Sequence, residues 1–302
     1  MTTEILINSR PYEVRIALVE DGNLTEFHMQ RPTEKGLMGN IYLGKVVRVL
    51  PGMQAAFIDI GLDRTGFLYV DDIYLPEIQH HSEVKEIDVS SDTIIEETYL
   101  EPTKKRTAGK SIEELISEGQ TILVQVSKEP IGTKGARLTC HITLPCRNLV
   151  FIPLTDHIGI SRKIEDESTR DTLKDIIEEL RPEGTGFIVR TVAEHAEPEE
   201  LEADMEFLLH LWEDIQDRSH NNICPSLVYE DLDIVLRSIR DLFTDDVDKL
   251  IIDDYHGYEK LLDFVYTFAP QLQDKVFLHE GRAKLFDKYG LDAEISRAIE
   301  KK

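Results

Sequence analysis

The chain has 302 residues, enough for two or three small domains or one large one. Hydrophobic residues make up 41%, which supports packed cores and excludes a wholly disordered chain. The formal net charge of −24 speaks against a generally basic nucleic-acid binder, and the lack of any run of about 18 apolar residues against a membrane span.

The opening MTTEILINSRPYEV has no basic segment followed by an apolar one, so no secretory signal is expected. Residues 3–8, 12–19 and 24–30 read as strands, with a hairpin turn at Glu20-Asp21-Gly22-Asn23. Residues 31–36 read as a linker. Strands at 40–48, 54–60, 65–70, 120–127 and 136–143, with Gly-rich turns between them, suggest a small closed barrel of OB type. The acidic interval 74–110 reads as a long insertion in that barrel, followed by a short helix over 111–118. Strands at 148–153 and 185–191 flank a helix over 167–181, and a second helix spans 197–217, with Trp212 on its core stripe. A helix over 229–243, a strand over 249–253 and helices over 256–267 and 291–301 complete the chain. Neither the opening meander nor this tail has a layer to pack on. The two are expected to join as one discontinuous domain around the rest. The fold class is therefore α+β and multidomain.

Charge is unevenly spread. Residues 71–120 carry 13 acids and 5 bases, whereas 121–163 carry 6 bases and 2 acids. Such a basic stretch is either a solvated face or a phosphate track. An OB barrel offers single-stranded nucleic acid its second and third strands, where Phe57 and Phe67 fall, with Lys45, Arg48 and Arg64 nearby. The rings either face solvent as base platforms or fill the core, and the strand register decides between these. Lys128, Lys134 and Arg137 share a Gly-containing loop that is either a phosphate cradle or a basic turn. Arg190 and Thr191 end an apolar strand, a pairing that can hold a terminal phosphate, and Arg162 and Lys163 join them if the two strands are neighbours. Cys140, Cys146 and Cys224 form no CxxC pair and no disulfide framework, so a reducing cytoplasm is expected. Asp59 and Asp63 read as turn formers. Asp253 and Asp254 end a strand without a third acid at metal-binding spacing.

The segments GNIYLGKVVRVLPGMQAAFIDIGLDRTGFLYVDDI, QVSKEPIGTKGARLTCHITLPCRNLVFIP, GISRKIE and GFIVRTVAE, in this order, resemble the bacterial RNase E/G family, most closely its shorter RNase G branch. The likeness runs from about residue 2 to 302 and breaks only at the acidic insertion. It implies an RNase H-like subdomain split between the two chain ends, with its first segment over 1–35 and its second over 229–302. Between these it implies an OB-fold RNA-binding domain over 36–143 and a 5′-monophosphate sensor over 144–228. It implies that Phe57 and Phe67 hold single-stranded RNA and that Lys134 contacts it. Arg190 and Thr191 would bind a 5′-monophosphate, with Val150 contributing backbone and Arg162 in the matching segment. In the family, two aspartates bind Mg²⁺ in a subdomain that opens with a segment like SGG-Y-I-TEA and continues with D-[IV]-N. Here the sequence stops at Ala298-Ile299-Glu300-Lys301-Lys302, where that subdomain is expected to begin, and the CPxCxG zinc link is also missing. As written, the chain is expected to bind RNA without hydrolysing it, whereas the full-length enzyme would use Mg²⁺ and form homo-oligomers. The rival readings are a stand-alone RNA-binding or regulatory protein and a purely structural domain.

Overall fold

A computed structural model describes residues 2–31, 36–73, 110–132, 134–244, 246–281 and 283–300. Of the acidic interval 74–110, all but Lys110 lies outside them, as do residues 32–35 of the linker. The fold is α+β. It divides into two compact units, Met1–Gly36 with Leu232–Lys302, and Leu37–Asp231.

Three antiparallel strands open the chain, β1 (Thr3–Arg10), β2 (Glu13–Glu20) and β3 (Asn23–Gln30). The β2–β3 turn puts Asp21 and Gly22 at φ 48° and 81°, the left-handed pair that an Asp-Gly hairpin favours.

The second unit begins with β4 (Ile41–Leu50), β5 (Ala55–Asp59), β6 (Gly66–Tyr69), a short helix α1 (Ile112–Leu115), β7 (Thr121–Lys128) and β8 (Arg137–Thr139). The pairing runs β4-β5-β6-β8-β7, and β7 returns to β4, so five strands close into an OB-like barrel. Closure requires one strand to serve two partners. β4 pairs with β7 through Ile41–Lys45 and with β5 through Lys45–Leu50, with a bulge between Val46 and Arg48. Gly44 lies at this crossing, where a Cβ would come within 2.5 Å of the Ile58 methyl Cγ2. The alternating residues Val46, Ala56, Ile58, Leu68, Val124, Val126 and Leu138 fill the interior.

The strand expected over 136–143 stops at Thr139. The Cys140 amide donates to Asp72 O at 2.7 Å, and the Gln125 side chain donates to Thr143 O and accepts from Thr143 N, both at 2.9 Å. These bonds turn the chain out of the barrel into a second sheet of β9 (Leu144–Pro145), β10 (Leu149–Ile152), β11 (Ile158–Ile160) and β12 (Gly186–Val189), in the order β11-β12-β10-β9. The helix α2 (Glu167–Leu180) joins the parallel pair β11 and β12, and Asp166 caps it by accepting from Thr169 N at 2.8 Å. The helix α3 (Pro198–Asn221) buries Leu201, Met205 and Leu208 and, with them, Asp204, while Trp212 is half-buried. The residues Ser226–Tyr229 then form β13, antiparallel to β4, where a helix was expected to begin at 229. The helix α4 (Ile234–Leu242) starts only after Asp233, whose carboxylate accepts from Leu236 N at 3.0 Å. A four-residue strand carries too little periodicity to stand out beside an apolar helix.

The tail supplies β14 (Lys249–Ile252), α5 (Tyr255–Phe268), β15 (Val276–Leu278), α6 (Leu285–Lys288) and α7 (Leu291–Glu300). β14 runs parallel to both β1 and β15, giving a five-stranded sheet β15-β14-β1-β2-β3 built from both ends of the chain. Ile5 and Ile7 face a core with α4 and α5, while Leu6 faces Leu285, Phe286 and Leu291 on the other side. Burial on both faces explains why β1 is apolar at consecutive rather than alternate positions. Among the described residues, no helix is long and apolar enough to cross a membrane.

Candidate nucleic-acid interface

In β5 and β6 the inward positions are taken by Ala56, Ile58 and Leu68, which turns Phe57 and Phe67 to the outer face of the barrel. Both rings are half-buried and sit directly opposite each other in register. Their centroids are 5.5 Å apart in an edge-to-face arrangement. The register extends this pair in both directions. Arg48 pairs with Phe57, Phe67 with Arg137, and Arg137 with Lys128, so one row crosses all five strands as cation, ring, ring, cation, cation. Arg48 and Lys128 are exposed. Lys45 is also exposed on β4, opposite Asp59.

The loop between β7 and β8 lies against the turn between β5 and β6. The Arg64 guanidinium donates to Gly132 O, and the Gly135 backbone passes so close that a Cβ there would lie 1.8 Å from Thr65 O. The Phe67 amide donates to Ala136 O at 2.8 Å. Lys134, exposed two residues earlier, is thereby held beside the start of β6.

Tyr69 and Asp72 were not singled out as binding residues in the sequence, yet with Arg137, a cation of the Gly-containing loop, they complete this face. Tyr69 is 41% exposed, and its ring lies 4.6 Å from that of Phe67. The Arg137 Cζ sits 5.3 Å from the Tyr69 centroid. Its Nε and Nη2 donate to Asp72 Oδ2 at 3.2 and 3.1 Å. Burial pushes the Asp72 carboxyl up from 3.8 to about 6, opposed by the Arg137 charge and hydrogen bond. The hint in the sequence was the alternation itself, since FLY puts Tyr69 on the face of Phe67.

A second cluster forms at the carboxyl ends of β11 and β12, the usual place for a ligand beside parallel strands. The Ser161 amide donates to Val189 O at 2.9 Å, and the Ser161 and Thr191 hydroxyls meet at 2.8 Å. Arg162 and Lys163 are exposed next to them, and Arg170 donates to Ser161 O at 2.6 Å. Arg190 is only 4% exposed, and its Nη1 donates to the carbonyls of Cys146 and Arg147 at 2.7 and 3.1 Å. The turn that bears those carbonyls is fixed by Asp204, which accepts from Asn148 N at 2.6 Å. Burial raises the Asp204 carboxyl above the ordinary range, against the pull of hydrogen bonds from Asn148, Cys146 and Leu149 and of the Arg147 charge. Val150 is buried in mid-sheet, paired with Pro145 and with Ile188, one residue before the end of β12. Ser161, Arg170 and Asp204 escaped the sequence reading. An acid at Asp204, among the apolar residues of a helix stripe, was the available signal. Among the described residues, no group of three or more His, Cys, Asp or Glu side chains is placed to hold a metal ion.

These features define a two-unit α+β protein with an aromatic and cationic face on an OB-like barrel. The sequence model of the Ribonuclease E/G family matches residues 143–302, and the chain belongs to that family. Ribonuclease G of Haemophilus influenzae is 42% identical over 299 residues, covering 99% of this chain and 57% of that protein. Ribonuclease G of Escherichia coli K12 is 40% identical over 302 residues, covering 100% of this chain and 58% of that protein. Ribonuclease E of Haemophilus influenzae is 33% identical over 98% of this chain, which spans 30% of that protein. The chain thus spans a little over half the length of the Ribonuclease G proteins it matches.

Proposed function

We propose that this chain is the RNA-binding and 5′-monophosphate-sensing portion of a single-strand-specific endoribonuclease that acts in RNA processing and decay. The observation that carries this reading is the outward row Arg48–Phe57–Phe67–Arg137–Lys128, which couples base platforms to phosphate-tracking cations on one barrel face. Bases stack on the two rings, while Lys45, Arg48, Lys128 and Lys134 follow the backbone. A 5′-monophosphate is received at the ends of β11 and β12 by the Thr191 hydroxyl and Arg162, with Arg190 anchoring the strand end from below. The division into a split RNase H-like subdomain, an OB domain and a sensor belongs to this proposal, with the sheet built from both chain ends as the RNase H-like subdomain. So do Mg²⁺-dependent cleavage, homo-oligomer formation and a cytoplasmic location for the full-length enzyme. Among the described residues, no three His, Cys, Asp or Glu side chains come together as ligands for Mg²⁺.

The test is a binding titration with matched 5′-phosphate and 5′-hydroxyl oligoribonucleotides at two salt concentrations. Tighter binding of the 5′-phosphate form, lost in Arg190→Ala and Thr191→Ala without change for the 5′-hydroxyl form, supports the sensor. Equal weakening of both forms would remove it. Absence of any RNA binding by the wild-type chain would end the whole reading.

A further inference from the structure

We propose that Tyr69, backed by the Arg137 guanidinium, forms a third base-stacking subsite that takes one more nucleotide of single-stranded RNA than Phe57 and Phe67 hold. This rests on the RNA-binding reading above and adds a site to it.

Three observations carry the proposal. First, Tyr69 continues the aromatic face. It follows Phe67 by two residues on β6, so both rings leave the barrel on the same side, with centroids 4.6 Å apart. A lone exposed ring on a surface needs no explanation, but three contiguous rings turned away from a filled core do. Second, the ring is held. Arg137 approaches it at 5.3 Å and is itself fixed by two bonds to Asp72, whose side chain is nearly inaccessible. The main chain of Asp72 accepts the Cys140 amide at 2.7 Å, which locks the end of β6 to the end of β8. A preorganised platform loses little conformational freedom when a base settles on it. Third, the charges assign a role. Asp72 compensates Arg137, so this corner adds stacking and cation–π surface with little net positive charge. The subsite should therefore contribute affinity that is nearly independent of salt, unlike the lysines along the row.

The experiment measures binding of 5′-hydroxyl oligouridylates, about 4 to about 16 nucleotides long, to the full chain by fluorescence anisotropy at several salt concentrations. Tyr69→Ala is expected to weaken binding about 10-fold for the longer oligonucleotides. It should leave the shortest binders unaffected and the salt slope unchanged. Tyr69→Phe should retain the affinity. Tyr69→Trp, a gentler change, should show fluorescence quenched by RNA above the background of Trp212. If wild type binds and Phe57→Ala weakens it, yet Tyr69→Ala binds every length like wild type, the third subsite is overturned while the RNA-binding reading stands. A folded Tyr69→Trp protein with no quenching at saturating RNA also overturns it. A wild-type chain that binds no RNA removes both.

Discussion

At the scale of single residues, the face of the barrel is decided by the period of two. Ala56, Ile58 and Leu68 must be inside, so Phe57, Phe67 and Tyr69 cannot be. Each stacked base is worth about 1–3 kcal/mol. Phe57→Ala with Phe67→Ala should therefore cost about 2–6 kcal/mol in oligonucleotide binding, with thermal stability nearly kept because neither ring is core. Isothermal titration beside a melting curve checks both halves, and retained affinity would show that the rings are bystanders. Asp72 gives a second prediction. Its carboxyl holds its proton more tightly when folded, at about 6, than when unfolded, at 3.8. Between those values the folded state binds more protons, so unfolding free energy must fall as pH rises through the window. The contribution is about 3 kcal/mol at most, from about 1.4 kcal/mol per pKa unit. Asp72→Asn should remove that slope. Denaturant melts of both proteins at pH 4, 5, 6 and 7 read the difference, and parallel curves would mean that Asp72 ionises without penalty.

At the scale of elements, two crossings depend on glycine, Gly44 inside the barrel and Gly135 on the loop that carries Lys134. A methyl group at Gly135 meets the Thr65 carbonyl rather than a flexible side chain, so the loop itself must lift. Gly135→Ala is expected to cost about 1–3 kcal/mol of stability. It should also weaken RNA binding by moving Lys134, an effect that Lys134→Gln in the Gly135→Ala background should no longer add to. Strands of eight or more residues and helices with clear caps were legible in the sequence, because alternation, an Asp-Gly turn and apolar spacing are local signals. Short strands such as β6, β10, β12 and β14 were legible where a run of apolar residues stood between turn signals, whereas β9, β11, β13 and β15 were not, since two to four residues without such a run cannot establish a period. The barrel face was legible as a pair of candidate rings but not as a surface. Register is set by the bulge at Val46–Arg48 and by β8 joining β6 in parallel, neither of which leaves a local trace. The cluster at the ends of β11 and β12 was half legible. Thr191 and Arg162 stood out, but the burial of Arg190 on the carbonyls of Cys146 and Arg147 depends on a turn pinned from a distant helix by Asp204.

At the scale of the whole molecule, a chain of net charge −24 that binds RNA as proposed would do so through one local face. Long-range repulsion is screened within roughly 8–10 Å at physiological salt, so the contacts at the row decide affinity, whereas the overall charge slows the approach. Each phosphate neutralised on a single strand contributes about −0.7 to the slope of log affinity against log salt. If Lys45, Arg48, Lys128 and Lys134 each meet one phosphate, the slope for 5′-hydroxyl RNA should be near −3, from about four contacts. Lys45→Gln and Lys134→Gln should each flatten it by about 0.7, while Phe57→Ala should shift the line downward without tilting it. A slope much steeper than this, unchanged by those two substitutions, would place the phosphate track elsewhere on the molecule. Arg162 and Lys163 would then be the first residues to neutralise in its place.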